Sequence, residues 1–333
     1  MKTTRFLKLI AVASLAIAMG SCVHPEKKTN TSTSGSSTLF CDNSFENIME
    51  QEIDVFEYIY PEAHVLARYG TEAEALDSLM SLNTRTIVIP RDLTQAEVKR
   101  LKDKRRTPRS SRIAVDAVAL VVNPANPADA MSLREVGEIL SGEIKTWQDL
   151  HPDYPDKPIA IVFDDAGSSM VKYMRDSLIN GKELGPNVYA QGSIAGVLDA
   201  VKKDRSAIGV IGVSWLTTDL RKIESVDSIA AEVTDETAAV KMDDINARVE
   251  GSGVKVLALM RNDDRRAYRP YQQNIYDGSY PLTRSIYMIT LAHSGSPAGG
   301  FYSFVTSYSG QKIIMKTGVL PARMQINVVE LID

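Results

Sequence analysis

The chain has 333 residues, 44% of them hydrophobic, with 38 Lys and Arg against 42 Asp and Glu and only two cysteines. That composition excludes a disulfide-stapled mini-domain, a wholly disordered chain and a nucleic-acid binder working through bulk positive charge. The length is enough for two sizeable cores.

Lys2, Arg5 and Lys8 precede an apolar run from Leu9 to Met19. A basic start before a short apolar segment has the form of a secretory signal, too short for an ordinary membrane-spanning helix, so residues 1–21 are expected to be removed. Removing these three bases from 38 leaves 35 against 42 acids, a formal charge of −7. Gly20, Ser21 and Cys22 resemble the lipobox of bacterial lipoproteins, although Met19 stands where that pattern more often has Leu. The resemblance implies cleavage before Cys22 and acylation of its thiol and new amine, several acyl chains holding a membrane where one is marginal. A secreted chain without lipid is the plainer alternative. Residues 22–37 are rich in Ser, Thr, Lys and Gly and read as a flexible tether. Cys41 then has no intrachain partner and is expected as a small buried hydrophobe near the first strand.

A helix is expected from Ser44 or Phe45 through Ile48, Met49, Ile53, Phe56 and Tyr60, before a short strand around Val65 and Leu66. Thr71 with Glu74, and Thr94 with Glu97, have the spacing of capping boxes, each opening a helix, with Thr86–Ile89 a strand between them. Ile113–Val122 is nearly continuous in β-formers and reads as a central strand, with Asp116 as its exception. Ser132 and Glu135 cap a further helix that Gly142 ends. Ile159–Phe163 is a strand delivering the chain into Asp164, Asp165, Ala166, Gly167, Ser168 and Ser169 and then a helix. A similar junction follows at Gly192 and Ser193, then a strand over Ala207–Val213. No second apolar segment is long enough to cross a bilayer, and alternating short strands and amphipathic helices predict an α/β fold.

The strand, loop and helix around Gly167–Ser169 is the best site candidate from spacing alone. Gly167 relaxes the turn, the serines supply hydroxyl donors, and free amides at the helix start converge on an oxyanion. A bare helix cap uses the same residues. Asp164 and Asp165 read equally as partners of a protonated ligand, as holders of a water, as guides for an arginine or as solvated acids.

Several segments resemble the phosphate-binding PstS family, the substrate-binding proteins of phosphate ABC importers. They are Asp42–Phe45, Tyr69–Ala73, Pro90–Leu93, Asp116–Pro127, Leu140–Trp147, Ala207–Gly212 and Tyr280–Arg284. The resemblance covers most of the mature chain. It implies an α/β, two-lobe type II periplasmic-binding-protein fold with crossover strands, residues 38–114 and 285–333 forming the first lobe and residues 115–284 the second. It places Ser44 and Phe45 at the first anion-contacting turn, Thr71 at the second, Asp92 at the acid that accepts a ligand proton, and Gly167, Ser168 and Ser169 in the anion loop. The family's arginine upstream of that loop is missing, Phe163 taking its place, and Glu72 adds an acid nearby. Arg91 is the replacement cation this leaves. Adjacent strand residues point to opposite faces, so a surface ion pair is its other reading.

The resemblance implies a lipid-anchored, periplasm-facing binding protein without enzymatic activity, cofactor or metal. It would be a monomer that carries inorganic phosphate to an ABC importer permease and does not bind nucleic acid. Its alternative is an anchored adaptor or sensor with the same fold, binding another oxyanion or a protein. The four histidines have no metal-ligand spacing, and neither a His-Glu-x-x-His nor a Gly-x-Ser-x-Gly motif occurs. One feature stays unabsorbed. The basic run Lys99, Arg100, Lys102, Lys104, Arg105, Arg106, Arg109 and Arg112 fits an acidic importer surface, anion steering, lipid headgroups or a merely solvated loop.

Overall fold

The computed structural model describes residues 30–217, 225–235, 252–262 and 264–323. The leader, Cys22 and the start of the tether lie outside the described residues.

β1 (Gly35–Asp42) begins inside the segment expected as tether, because Gly35 to Asp42 pair in parallel register with β2 (Ala63–Gly70), from Ala63 to Gly70. Its first residues are exposed and its last four, Leu39 to Asp42, are buried, Cys41 completely. A single 3-10 turn, Asn43–Phe45, leads into α1 (Glu46–Ile59). After β2 come α2 (Glu72–Met80), β3 (Thr86–Ile89) and α3 (Gln95–Asp103). Both expected capping boxes form: Thr71 accepts from the Glu74 amide and Thr94 from the Glu97 amide, while each glutamate reaches back to the cap amide.

β4 (Arg109–Val122) is longer than the apolar run that announced it. Its first part pairs with the antiparallel β11 (Thr283–Thr290) and its second, Val118–Val122, with β8 (Ala207–Gly212). The strand therefore passes from one set of partners to another. The sheet order is β2-β1-β3-β11-β4-β8-β6-β7, with β6 (Ala160–Phe163) and β7 (Val188–Ala190) at the far edge. The short β9 (Lys255–Val256) and β12 (Leu320–Pro321) join β4 off this path. β5 (Ala130–Ser132) pairs apart from it with β10 (Ala258–Met260).

Helices cover both faces. α4 (Leu133–Ser141) ends where Gly142 adopts φ 78, a left-handed conformation that glycine enters without penalty. α5 (Trp147–Leu150), α6 (Ser169–Leu178), α7 (Ile194–Lys203), α8 (Val226–Thr234) and α9 (Gln272–Tyr276) follow. α10 (Pro297–Val305) and α11 (Tyr308–Lys316) return to pack on α1. There Phe56 meets Tyr60, Phe301 and Phe304 at centroid distances of 5.1, 5.2 and 5.2 Å. Aromatic pairs of this kind add about 0.5–1.5 kcal/mol each beyond their burial. A smaller core of Phe40, Leu79, Ile87, Leu101 and Ile289 lies under α2 and α3. The result is the expected mixed α/β architecture.

Candidate functional site

Two junctions between strand and helix, more than a hundred residues apart in sequence, meet in one buried cluster. The first is the end of β1. Asp42 turns its carboxylate back on the chain, and Oδ1 accepts the Ser44 amide at 2.9 Å, which fixes the 3-10 turn and the inward position of Ser44 and Phe45. The second is the end of β6. Asp165 Oδ1 takes the Gly167 amide at 2.7 Å, and Ser168 caps α6 by accepting from the Val171 amide at 3.3 Å. The neighbouring loop is held as well: the Asp164 carbonyl accepts from the amide of Gly192, a residue at φ 78.

Ser169 joins the two. Its hydroxyl donates to Asp42 Oδ1 at 3.0 Å and lies 3.4 Å from the Ser44 hydroxyl. Arg284, from the start of β11, donates to the Ser169 hydroxyl through Nη1 at 3.3 Å. The same guanidinium donates to Asp116 Oδ2 through Nε at 3.2 Å and Nη2 at 3.1 Å, and lies 4.6 Å from the centre of the Phe45 ring. Trp215 Nε1 donates to the Ser44 carbonyl at 3.2 Å, and the Tyr173 hydroxyl to the Thr283 carbonyl at 2.9 Å.

The electrostatics follow from burial. Asp42 is 1% exposed, and loss of hydration raises its pKa while Arg284 and the donors on Oδ1 pull the other way. Burial likewise raises Asp116, with Arg284 opposing. Among the described residues, Asp42 Oδ2 and Asp164 Oδ1 are buried with no hydrogen-bond partner. An acceptor left in that state costs about 1–3 kcal/mol, so it is maintained against stability.

Of the residues singled out from sequence, Ser44, Phe45 and Ser169 come together in this cluster, and Ser168 and Gly167 stand at its edge with Ser168 Oγ and the Gly167 amide used in caps. Thr71 is also a cap: its hydroxyl donates to Glu74 Oε2 at 3.0 Å and accepts the Glu74 amide at 3.3 Å. The next residue, Glu72, reaches Lys172 of α6 at 3.9 Å, so the start of α2 faces the same seam. Asp92 is exposed, accepting from the Leu93 amide and the Ser110 hydroxyl, each at 2.7 Å. Arg91 takes the second of its two readings, an ion pair. Its guanidinium is bidentate on Glu97, at 2.9 Å twice, and bonds Glu72 at 2.6 Å. Three such bonds satisfy the fork that a ligand would otherwise use.

The cation facing the serines is Arg284, which the sequence offered only as the last residue of the resembling segment Tyr280–Arg284. A signal for it existed. Asp116 is the charged exception in the buried run Ile113–Val122 and Arg284 the charged residue of β11, and the register sets them directly opposite each other. Among the described residues, no group of three or more His, Cys, Asp or Glu is placed to hold a metal ion, and no helix is long and apolar enough to cross a membrane.

Residues 26–309 match the family model described as a PBP superfamily domain. The chain belongs to the PBP superfamily. Among curated proteins it is 21% identical over 342 residues to the phosphate-binding protein PstS of Pseudomonas aeruginosa, covering 96% of this chain and 95% of that one. It is 23% identical over 216 residues to the protein of the same name from Staphylococcus saprophyticus, covering 65% and 57%. Among solved structures, a Clostridium perfringens protein with bound phosphate superimposes with TM-score 0.63 at 20% identity, over 87% of this chain and all of that one. An ABC-type phosphate transport receptor from Vibrio cholerae gives 0.59 at 19% identity, over 86% and 100%. The chain is a divergent, PstS-like member of the superfamily and shares its fold with these binding proteins.

Proposed function

We propose that this PBP superfamily chain is a solute-binding protein that takes phosphate between two lobes and hands it to an ABC importer permease, held to the membrane by lipid on Cys22 and facing the periplasm. The lobes would be residues 38–114 with 285–333, the first extended to include all of β1, and residues 115–284. The observation that carries this reading is the meeting of Ser44 and Ser169, from opposite sides of the strand crossing, on one carboxylate with a guanidinium beside them.

The chemistry divides among these groups. On opening, the Ser44 and Ser169 hydroxyls and Arg284 turn from one another to the ligand's oxygens, with the amides at the start of α6 adding positive potential. Asp42 Oδ2 accepts a hydrogen bond from an O–H of the ligand. Monohydrogen phosphate has one such O–H, dihydrogen phosphate two and sulfate none, so the same carboxylate that welcomes phosphate leaves sulfate facing an acceptor. Asp42 thus takes the role that the family resemblance had given to Asp92. Binding is reversible and no covalent step is involved.

Calorimetric titration of the ligand-stripped protein with phosphate and with sulfate tests this. Phosphate is expected to bind with a stoichiometry of one, and sulfate about a hundredfold or more weaker. Asp42→Asn should narrow that gap by at least tenfold, since the amide can donate to sulfate. Absence of phosphate binding, or equal affinity for the two anions, would rule the reading out.

A further inference from the structure

The end of the molecule opposite this seam carries a second feature, unused by phosphate binding. A cavity of about 440 Å³ is lined by Asn30, Leu66, Leu82, Arg85, His293 and Ser296 among others. Two leucines stand open at it: Leu66 is 60% exposed and Leu82 37%, the latter held at φ 62, which is uncommon for a leucine. The basic run is tied to the same place. Lys104 Nζ donates to the Met80 carbonyl at 2.7 Å, two residues before Leu82, and Arg109 Nη2 to the Ala292 carbonyl at 2.9 Å, one residue before His293. Lys99, Arg100, Lys102, Lys104, Arg105 and Arg106 are exposed, as is Arg85, and among the described residues none of them is in an ion pair. Asp103 is the one acid within the run.

Asn30, the first described residue, lines this cavity. Asn30 lies eight residue steps after Cys22. Even fully extended they reach at most about 28 Å, and as a flexible coil about 16 Å. Along β4, Asp116 already lies about 24 Å beyond Arg109. At the coil length, shorter than that about 24 Å, an anchor at Cys22 favours the basic, leucine-bearing end lying nearest the bilayer.

We propose that this end is a seat for anionic phospholipid: the basic run and Arg85 meet headgroup phosphates while Leu66 and Leu82 enter the interface, turning the phosphate seam away from the membrane at rest. Clustered bases and exposed apolar side chains are the combination that binds anionic bilayer surfaces. The tether geometry rests on the lipid anchor proposed above; the charge and the leucines do not.

The test uses the anchored full chain in vesicles of phosphatidylcholine alone or with about one-third phosphatidylglycerol, with amine-reactive labelling read residue by residue. Retention on phosphatidylcholine vesicles in high salt reports the anchor separately. With phosphatidylglycerol, labelling of Lys102 and Lys104 should fall about fivefold or more while the exposed Lys157 and Lys182 stay unchanged, and high salt should reverse it. Combined Lys102→Glu, Arg105→Glu and Arg106→Glu should restore Lys104 labelling. Where no anchor is found, sedimentation of the released chain with phosphatidylglycerol vesicles in low salt, lost in the triple variant, supports the seat. Equal labelling in both vesicle types, or no sedimentation in that case, overturns it and leaves the basic end to solvent or to an acidic protein.

Discussion

Glu52 shows how a residue can be invisible to pattern reading and still control stability. It lies on α1, wholly buried, with neither carboxylate oxygen bonded among the described residues, and burial raises its pKa well above 4.5. The fold therefore keeps a proton that the unfolded chain gives up. Its contribution to stability is complete below about pH 4.5 and is lost as pH climbs through the raised value. Glu52→Gln should remove that loss: urea unfolding at about pH 8 should show the variant more stable than the parent, by about 1–3 kcal/mol, with the difference vanishing near pH 4. A variant equally or less stable at pH 8 would contradict the burial of an unpartnered acid. Helical spacing marked Ile48, Met49, Ile53 and Phe56 as the apolar side of α1. It gave no hint of Glu52, because α8 and α11 cover α1 from further sides and distant packing leaves no local trace. Asp116 was more legible, since a charge inside a continuous run of β-formers needs a buried partner. The sequence reading marked that exception, but not Arg284 or the pairing of the two.

At the scale of elements, local chemistry was the readable part. Thr71 with Glu74, Thr94 with Glu97, Ser132 with Glu135 and Gly142 mark helix ends in sequence and do so in the fold. Strand ends were not readable in this way. β1 begins at Gly35 and β4 at Arg109 because their polar first residues are recruited by neighbours, Gly35 by Ala63 and Arg109 by Thr290. The same limit hid the position of Arg91, whose side chain closes onto Glu97 at the start of α3 and onto Glu72 at the start of α2. Glu97 is lowered from 4.5 to about 2, first by its bonds to Arg91. A lowered carboxylate stabilises the fold above its unfolded pKa and stops doing so as pH falls from about 4.5 toward 2. Because the pair is only part-buried and still reached by solvent, Arg91→Ala should cost only about 0.5–1 kcal/mol at neutral pH and nothing near pH 2, by thermal unfolding. Phosphate affinity should stay within about twofold of the parent, since Arg91 is spent on acids. A tenfold loss of affinity would return Arg91 to the ligand.

Over the whole molecule, family resemblance carried what periodicity does not reach. The order β2-β1-β3-β11-β4-β8-β6-β7 brings strands late in the chain between early ones, and β4 exchanges β11 for β8 as it runs. Alternating strands and helices predict an α/β fold but not this crossing. The crossing makes the cluster: it sets the β1 end against the start of α6 and brings Arg284 to both. Ser44 and Phe45 entered the proposed site from resemblance and Ser169 from spacing as well, whereas Asp42 as the proposed acceptor required the geometry. Trp215 gives this seam its own reporter, because its indole donates to the Ser44 carbonyl across it, while Trp147, the other tryptophan, is 1% exposed and away from the seam in α5. Tryptophan emission of the ligand-stripped protein, titrated first with phosphate and then with sulfate, is the most direct measurement. A saturable change with phosphate, absent in Trp215→Phe and far weaker with sulfate, is the predicted result; an emission indifferent to phosphate, or equally responsive to sulfate, would contradict it.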